Sequence, residues 1–70
     1  MAREAILRAI RPFQIHADHY YDIVYSFASE PDVVRQARLP AEAVYGDPQE
    51  GDQVLVQAVL NMVTEVRKKP

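Results

Sequence analysis

The run from Tyr20 to Phe27 constrains the chain most: Tyr21, Ile23, Tyr25 and Phe27 alternate with Asp22, Val24 and Ser26. A period of two residues in β-branched and aromatic side chains predicts a strand with one buried face and one wet face. Just upstream, Phe13 and Ile15 alternate with Gln14 and His16, and Ala17, Asp18 and His19 between the runs have the length of a hairpin loop. An antiparallel hairpin is therefore expected at the centre of the fold.

The flanking segments are read from this hairpin outward. Ala5, Leu7, Ala9, Phe13 and Ile15 fit one face of a strand, and Ala2, Ala5, Ile6, Ala9, Ile10 and Phe13 fit a helix equally well. A long first strand starting at Glu4 needs fewer elements and is preferred. Val33 to Leu39 reads as a third strand, with Val33, Arg35, Ala37 and Leu39 on one side. Pro40 followed by Ala41, Glu42 and Ala43 predicts one helical turn, stopped at Gly46. Gly46, Asp47 and Pro48, then Glu50, Gly51 and Asp52, form a double turn signal that launches Val54, Leu55 and Val56 as a strand.

Gln53 to Lys69 carries two patterns. Gln53, Gln57, Asn61, Thr64 and Lys68 form a polar stripe at helical spacing, whereas Val54, Val56, Ala58, Leu60 and Met62 alternate as in a strand. The valine-rich composition favours extended structure, with a reversal near Leu60 and Asn61 and a last strand from Val63 to Arg67. The expected fold is all-β, a small five-stranded SH3-like or OB-like barrel with one short helical turn. The alternative is α+β, a three-stranded antiparallel sheet with a C-terminal helix. Val24, Leu55, Val59 and Val63 fall on the face opposite their buried neighbours, so either barrel closure or a partner must cover them.

Seventy residues make one small domain, residues 1–70, with a marginal core. No cysteine is present, which excludes disulfides, thiolate metal sites and a cysteine nucleophile. No unbroken apolar run exceeds three residues, Val54 to Val56 and Ala58 to Leu60 among them, and Arg3, Glu4, Arg8 and Arg11 interrupt any signal-peptide core. A cytoplasmic protein without a membrane span is expected.

The net charge of −2 averages over basic ends and an acidic middle. Arg3, Arg8 and Arg11 open the chain, Arg35 and Arg38 lie mid-chain, Arg67, Lys68 and Lys69 close it, and no basic residue falls between Leu39 and Val66. If the ends meet in the fold, their charges add into one patch that steers anionic partners. The possible binding surface is Arg8, Arg11, Tyr20, Arg35, Arg38, Arg67 and Lys68.

Chemistry is sparse. His16, Asp18, His19 and Asp22 are the only cluster of imidazoles and carboxylates, but the spacing matches no closed metal motif and a solvated loop is expected. Ser26 and Ser29 lie in no nucleophile motif, and two glycines form no phosphate-binding loop. No catalytic residue, cofactor, metal or small-molecule substrate is expected. The sequence points to a non-catalytic binding module acting in protein–protein interaction or homo-oligomerisation. The alternative is a small barrel that binds single-stranded RNA or DNA through its basic ends and hairpin aromatics, although a pI near 5.5 lacks the usual basic excess.

Overall fold

The computed structural model describes residues 2–70. Five strands, β1 (Ala2–Ile15), β2 (Asp18–Phe27), β3 (Arg35–Pro40), β4 (Gln53–Val59) and β5 (Met62–Lys68), are joined with a single 3₁₀ turn at Ala41–Ala43. They form one sheet in the order β3-β2-β1-β4-β5, with every neighbouring pair antiparallel. The chain is all-β, and the C-terminal helix of the alternative reading is replaced by β4 and β5. β-branched residues along Gln53–Val66 outweigh the polar stripe because each valine on the inner face has a cross-strand partner to pack against. The sheet does not close: β3 and β5 approach one another but are not hydrogen-bonded partners.

Two hairpin turns set the registers. In the β1–β2 hairpin Ile15 pairs with Asp18, which leaves only His16 and Ala17 in the turn. His16 takes the positive φ, 55°, of this two-residue connection. The expected loop at Ala17 to His19 is thus displaced: Asp18 and His19 already belong to β2. In the β4–β5 hairpin Val59 pairs with Met62, and Leu60 and Asn61 both have positive φ, 51° and 68°, as a type I′ turn requires.

β1 does not run as one uninterrupted strand face. Leu7 pairs with Tyr25 and Ala9 with Val24, so Arg8 is an extra residue in a β-bulge. Ala5 and Leu7, before the bulge, point into the core; after it the parity inverts, Ile10 packs inward, and Ala9, Phe13 and Ile15 lie on the opposite side. The single face expected for Ala5, Leu7, Ala9, Phe13 and Ile15 is therefore split in two. The bulged Arg8 donates from Nε to the buried Ser26 Oγ at 3.3 Å and from Nη2 to the Pro31 carbonyl at 2.8 Å. The Nε contact satisfies Ser26, the one buried polar side chain among the described residues.

The core lies inside the curved sheet and comprises Ala5, Leu7, Ile23, Tyr25, Phe27, Leu39, Val44, Val54, Val56 and Val66. Tyr25 and Phe27 meet edge to face, with ring centroids 5.4 Å apart. Val44, just after the 3₁₀ turn, bridges Val66 in parallel, and the Tyr45 N–H donates to the Val66 carbonyl at 3.2 Å. This connection covers the middle of the outer edge of β5. Gly51, at φ 93°, donates its N–H to the Leu7 carbonyl at 2.8 Å, and the Leu7 N–H donates to the Asp52 carbonyl at 3.0 Å. A side chain is disfavoured at that φ, so glycine lets the loop join β1 there. Val33 and Val34 precede β3 and are exposed, so the third strand is shorter than expected and Val33 is not part of its buried side. Leu60 and Met62 are also exposed, because the turn ends the alternation they were read into.

Candidate functional site

The outer face of β1, β2 and β3 is organised in cross-strand rows. Phe13, Tyr20 and Pro40 form the first, Arg11, Asp22 and Arg38 the second, and Ala9, Val24 and Gln36 the third. Residues directly opposite in a sheet project side by side, so nine side chains share this surface. An open depression of about 670 Å³ lies here, lined among others by Ala9, Arg11, Asp22, Val24, Gln36 and Arg38.

The first two rows are locked together. The Phe13 and Tyr20 rings stack, with centroids 5.4 Å apart and planes 20° from parallel. Arg38 donates from Nε to Asp22 Oδ1 at 2.9 Å and from Nη2 to Oδ2 at 3.3 Å, and its guanidinium lies 4.3 Å from the Phe13 ring centroid. The hydrogen bond from Arg38 holds the Asp22 carboxyl below its usual range, and the nearby positive charges of Arg38 and Arg11 act in the same direction. Reciprocally, that bond raises the Arg38 pKa. Among the described residues Arg11 makes no side-chain hydrogen bond or ion pair. The face therefore offers one free guanidinium, one stacked guanidinium and two aromatic rings around a neutralised carboxylate.

The expected binding surface is only partly gathered. Arg11, Tyr20 and Arg38 come together here, and Arg8 sits at the bulge below them, held by Ser26 and Pro31. Arg35 pairs in register with Tyr25 and so belongs to the inner parity of β3, where it meets Glu30 at 3.3 Å. Arg67 and Lys68 lie on β5, which β4 separates from β1. The ends of the chain do approach, but with opposite charges: Lys69 Nζ meets Glu4 Oε1 at 2.8 Å, while Arg3 meets Glu30 at 3.9 Å and Arg67 meets Glu65 at 3.0 Å. The basic ends do not add into one patch.

Phe13, Pro40, Asp22, Ala9, Val24 and Gln36 are the members of this face missing from the expected surface. Phe13 is turned outward by the bulge at Arg8, and no residue pattern marks a bulge in an arginine-containing strand. The hairpin end holds a separate, smaller depression lined by Asp18, His19, Tyr20, Pro40 and Glu42, which gives the aromatic row an acidic border. His16 occupies the turn and His19 pairs with Gln14. Among the described residues no group of three or more His, Cys, Asp or Glu side chains is placed to hold a metal ion, and no helix is long and apolar enough to cross a membrane.

No protein-family model, characterised protein or solved structure matches the chain.

Proposed function

We propose that this protein is a small non-catalytic binding module, and that the outer face of β1, β2 and β3 receives single-stranded nucleic acid. The observation that carries the reading is the stack of Arg38 on Phe13 and of Phe13 on Tyr20, beside the free Arg11. Bases stack on aromatic and guanidinium planes, and phosphates seek the adjoining cations; this is how sequence-tolerant single-strand binding works. The strand order β3-β2-β1-β4-β5, with the helical turn between β3 and β4, favours the OB-like over the SH3-like form of the expected barrel. OB-like barrels present the corresponding strand face to oligonucleotides. Local charge matters more here than the total of −2, because Asp22 is already neutralised by Arg38.

The test is a fluorescence-anisotropy titration with labelled oligo-dT and oligo-U at several salt concentrations. With the free Arg11 as the phosphate partner, the log–log salt slope is expected near −0.7, about the value of one contact on a single strand. Absence of binding at low salt removes the reading.

A second reading, protein–protein interaction or self-association, is favoured by a different feature. Val34, Leu60 and Met62 are large apolar residues exposed to 63%, 95% and 70%. Covering them against a second surface would remove that apolar area from water. Sedimentation equilibrium over a wide concentration range tests the homodimer: a monomer throughout removes it.

A further inference from the structure

We infer that one mouth of the curved sheet holds a separate anion site, built from Arg3 and Arg35 over the Phe27 ring, which takes a phosphate monoester. This goes beyond the nucleic-acid reading and lies on the other face of the sheet. Arg3 pairs in register with the buried Val56, Phe27 with Ala5 and Arg35 with Tyr25, so all three side chains have the inner parity. They meet where the start of β1, the end of β2 and the start of β3 come together.

The ring orients both cations. The guanidinium carbon of Arg3 lies 3.8 Å from the Phe27 ring centroid and that of Arg35 lies 5.4 Å from it. Contact with the ring restrains two long side chains before a ligand arrives, which lowers the ordering cost of binding. A single carboxylate serves the pair: Glu30 Oε1 is 3.3 Å from Arg35 Nη2 and 3.9 Å from Arg3 Nη2. Arg3 also donates to the Ser29 hydroxyl at 3.1 Å. Neither guanidinium makes the two-pronged bond that joins Arg38 to Asp22. Two positive charges therefore face one negative charge, with donors to spare.

The Glu30 side chain is not needed to hold its loop. The Ala28 N–H donates to the Glu4 carbonyl at 2.9 Å, the Glu30 N–H to Phe27 at 2.9 Å and the Val33 N–H to Glu30 at 3.0 Å, while Arg8 binds the Pro31 carbonyl. Its carboxylate can swing aside with the backbone in place, and ion pairs this exposed exchange partners at little cost. The mouth then offers two guanidiniums and the exposed Ser29 hydroxyl.

Charge and shape select the ligand. A free carboxylate gains nothing over Glu30, which is tethered beside the arginines at high effective concentration. A phosphate monoester carries nearly two charges and three terminal oxygens, enough to bridge both guanidiniums. A backbone phosphodiester has only one charge, which sets this site apart from the outer face.

The experiment is an NMR amide-shift titration of the whole protein at constant ionic strength and slightly alkaline pH. Its probes are inorganic phosphate, uridine 5′-monophosphate, O-phosphoserine and acetate. Phosphate shifts are expected to centre on Phe27 to Glu30 and on Arg35, with acetate weaker by about tenfold or more. Glu30→Gln is expected to tighten phosphate binding about threefold by removing the internal competitor. Arg3→Gln and Arg35→Gln should each weaken it about tenfold and leave the oligo-dT titration unchanged. Tighter binding of the nucleotide than of phosphoserine identifies a nucleotide as the source of the phosphoryl group, and the reverse order a phosphorylated side chain. Shifts centred on Arg11 and Arg38, equal affinity for acetate, no saturable shift, or a Glu30→Gln protein that binds no more tightly would each overturn the proposal. The shift map of the unsubstituted protein decides the location even where a variant fails to fold.

Discussion

The Tyr45 hydroxyl donates to Asp52 Oδ2 at 2.5 Å, and the same oxygen accepts the Gln49 N–H at 3.0 Å. These bonds close the loop between the 3₁₀ turn and β4 into a clasp, which holds Val44 and Tyr45 against β5. Both hydrogen bonds favour the ionised carboxylate and lower the Asp52 pKa, with the Tyr45 bond the larger influence. Burial first, then the Asp52 bond and charge, push the Tyr45 hydroxyl upward.

A pH dependence follows from the signs of these shifts. Asp52 is depressed on folding, so its contribution is present above the unfolded value of about 3.9 and is lost as pH falls through the lower folded value. Tyr45 is raised, so its contribution is present below the unfolded value of about 10 and is lost as pH rises beyond it. Tyr25, raised by its burial in the core, acts in the alkaline direction too. Thermal melts should therefore show a plateau between these limits and a decline on either side. Tyr45→Phe is expected to lower the melting temperature by a few degrees at neutral pH and to weaken both declines; an unchanged profile would mean that the clasp contributes nothing.

The β4–β5 turn carries removable strain. Leu60 and Asn61 occupy the two positive-φ positions, where Asn-Gly is preferred and a bulky residue is costly. Replacing Leu60→Asn together with Asn61→Gly is expected to stabilise the protein by about 1 kcal/mol, read as a higher urea midpoint. No burial is lost, since Leu60 is solvent-exposed.

Core truncation should act in the opposite direction and more strongly. Leu7 is buried at the point where β1, β2 and the Gly51–Asp52 loop meet. Leu7→Ala is expected to cost about 3 kcal/mol, the mid-range for a leucine cavity. In a domain this small such a loss is a large fraction of total stability, and urea denaturation should show a protein close to unfolding.

On the outer face, substitutions separate binding from stability. Phe13→Ala should weaken oligo-dT binding by roughly 1–3 kcal/mol, the value of one stacked base, with circular dichroism unchanged. Arg11→Gln should shallow the salt slope by about 0.7. Asp22→Asn should strengthen binding, because it removes the carboxylate that now occupies Arg38. If Asp22→Asn weakened binding, Arg38 would need its ion pair to be held over Phe13, and the expectation that the carboxylate competes with the ligand for Arg38 would fail.

Much of the sheet was legible because burial on one side writes itself into alternation. Ile23, Tyr25 and Phe27 point inward as their spacing demands, and the reversal at Leu60–Asn61 stands where the valine pattern breaks. The 3₁₀ turn follows Pro40, which fixes the backbone at its entrance. The site was less legible. Tyr20 and Arg38 face outward by parity, but Phe13 does so only because Arg8 is bulged, and the bulged side chain bonds Ser26 and Pro31, 18 and 23 positions away in the chain. Nor does charge order reveal which arginines remain free: Arg3 and Lys69 are matched to Glu30 and Glu4, residues remote from them in the chain, while Arg35 shares the nearby Glu30.

The bulge at Arg8 also makes the pairing of β1 as consequential as its composition. Deleting Arg8 would remove the bulge yet keep Ile10 inside and Phe13 outside, because the pairs Leu7–Tyr25 and Ala9–Val24 become consecutive; pairing through Arg8 in regular alternation would instead carry Phe13 and Ile15 toward the interior and drive Ile10 and Pro12 out. A substitution anywhere in the strand alters one side chain, whereas loss of the bulge with Arg8 still present would exchange the wet and dry sides of everything that follows up to the turn.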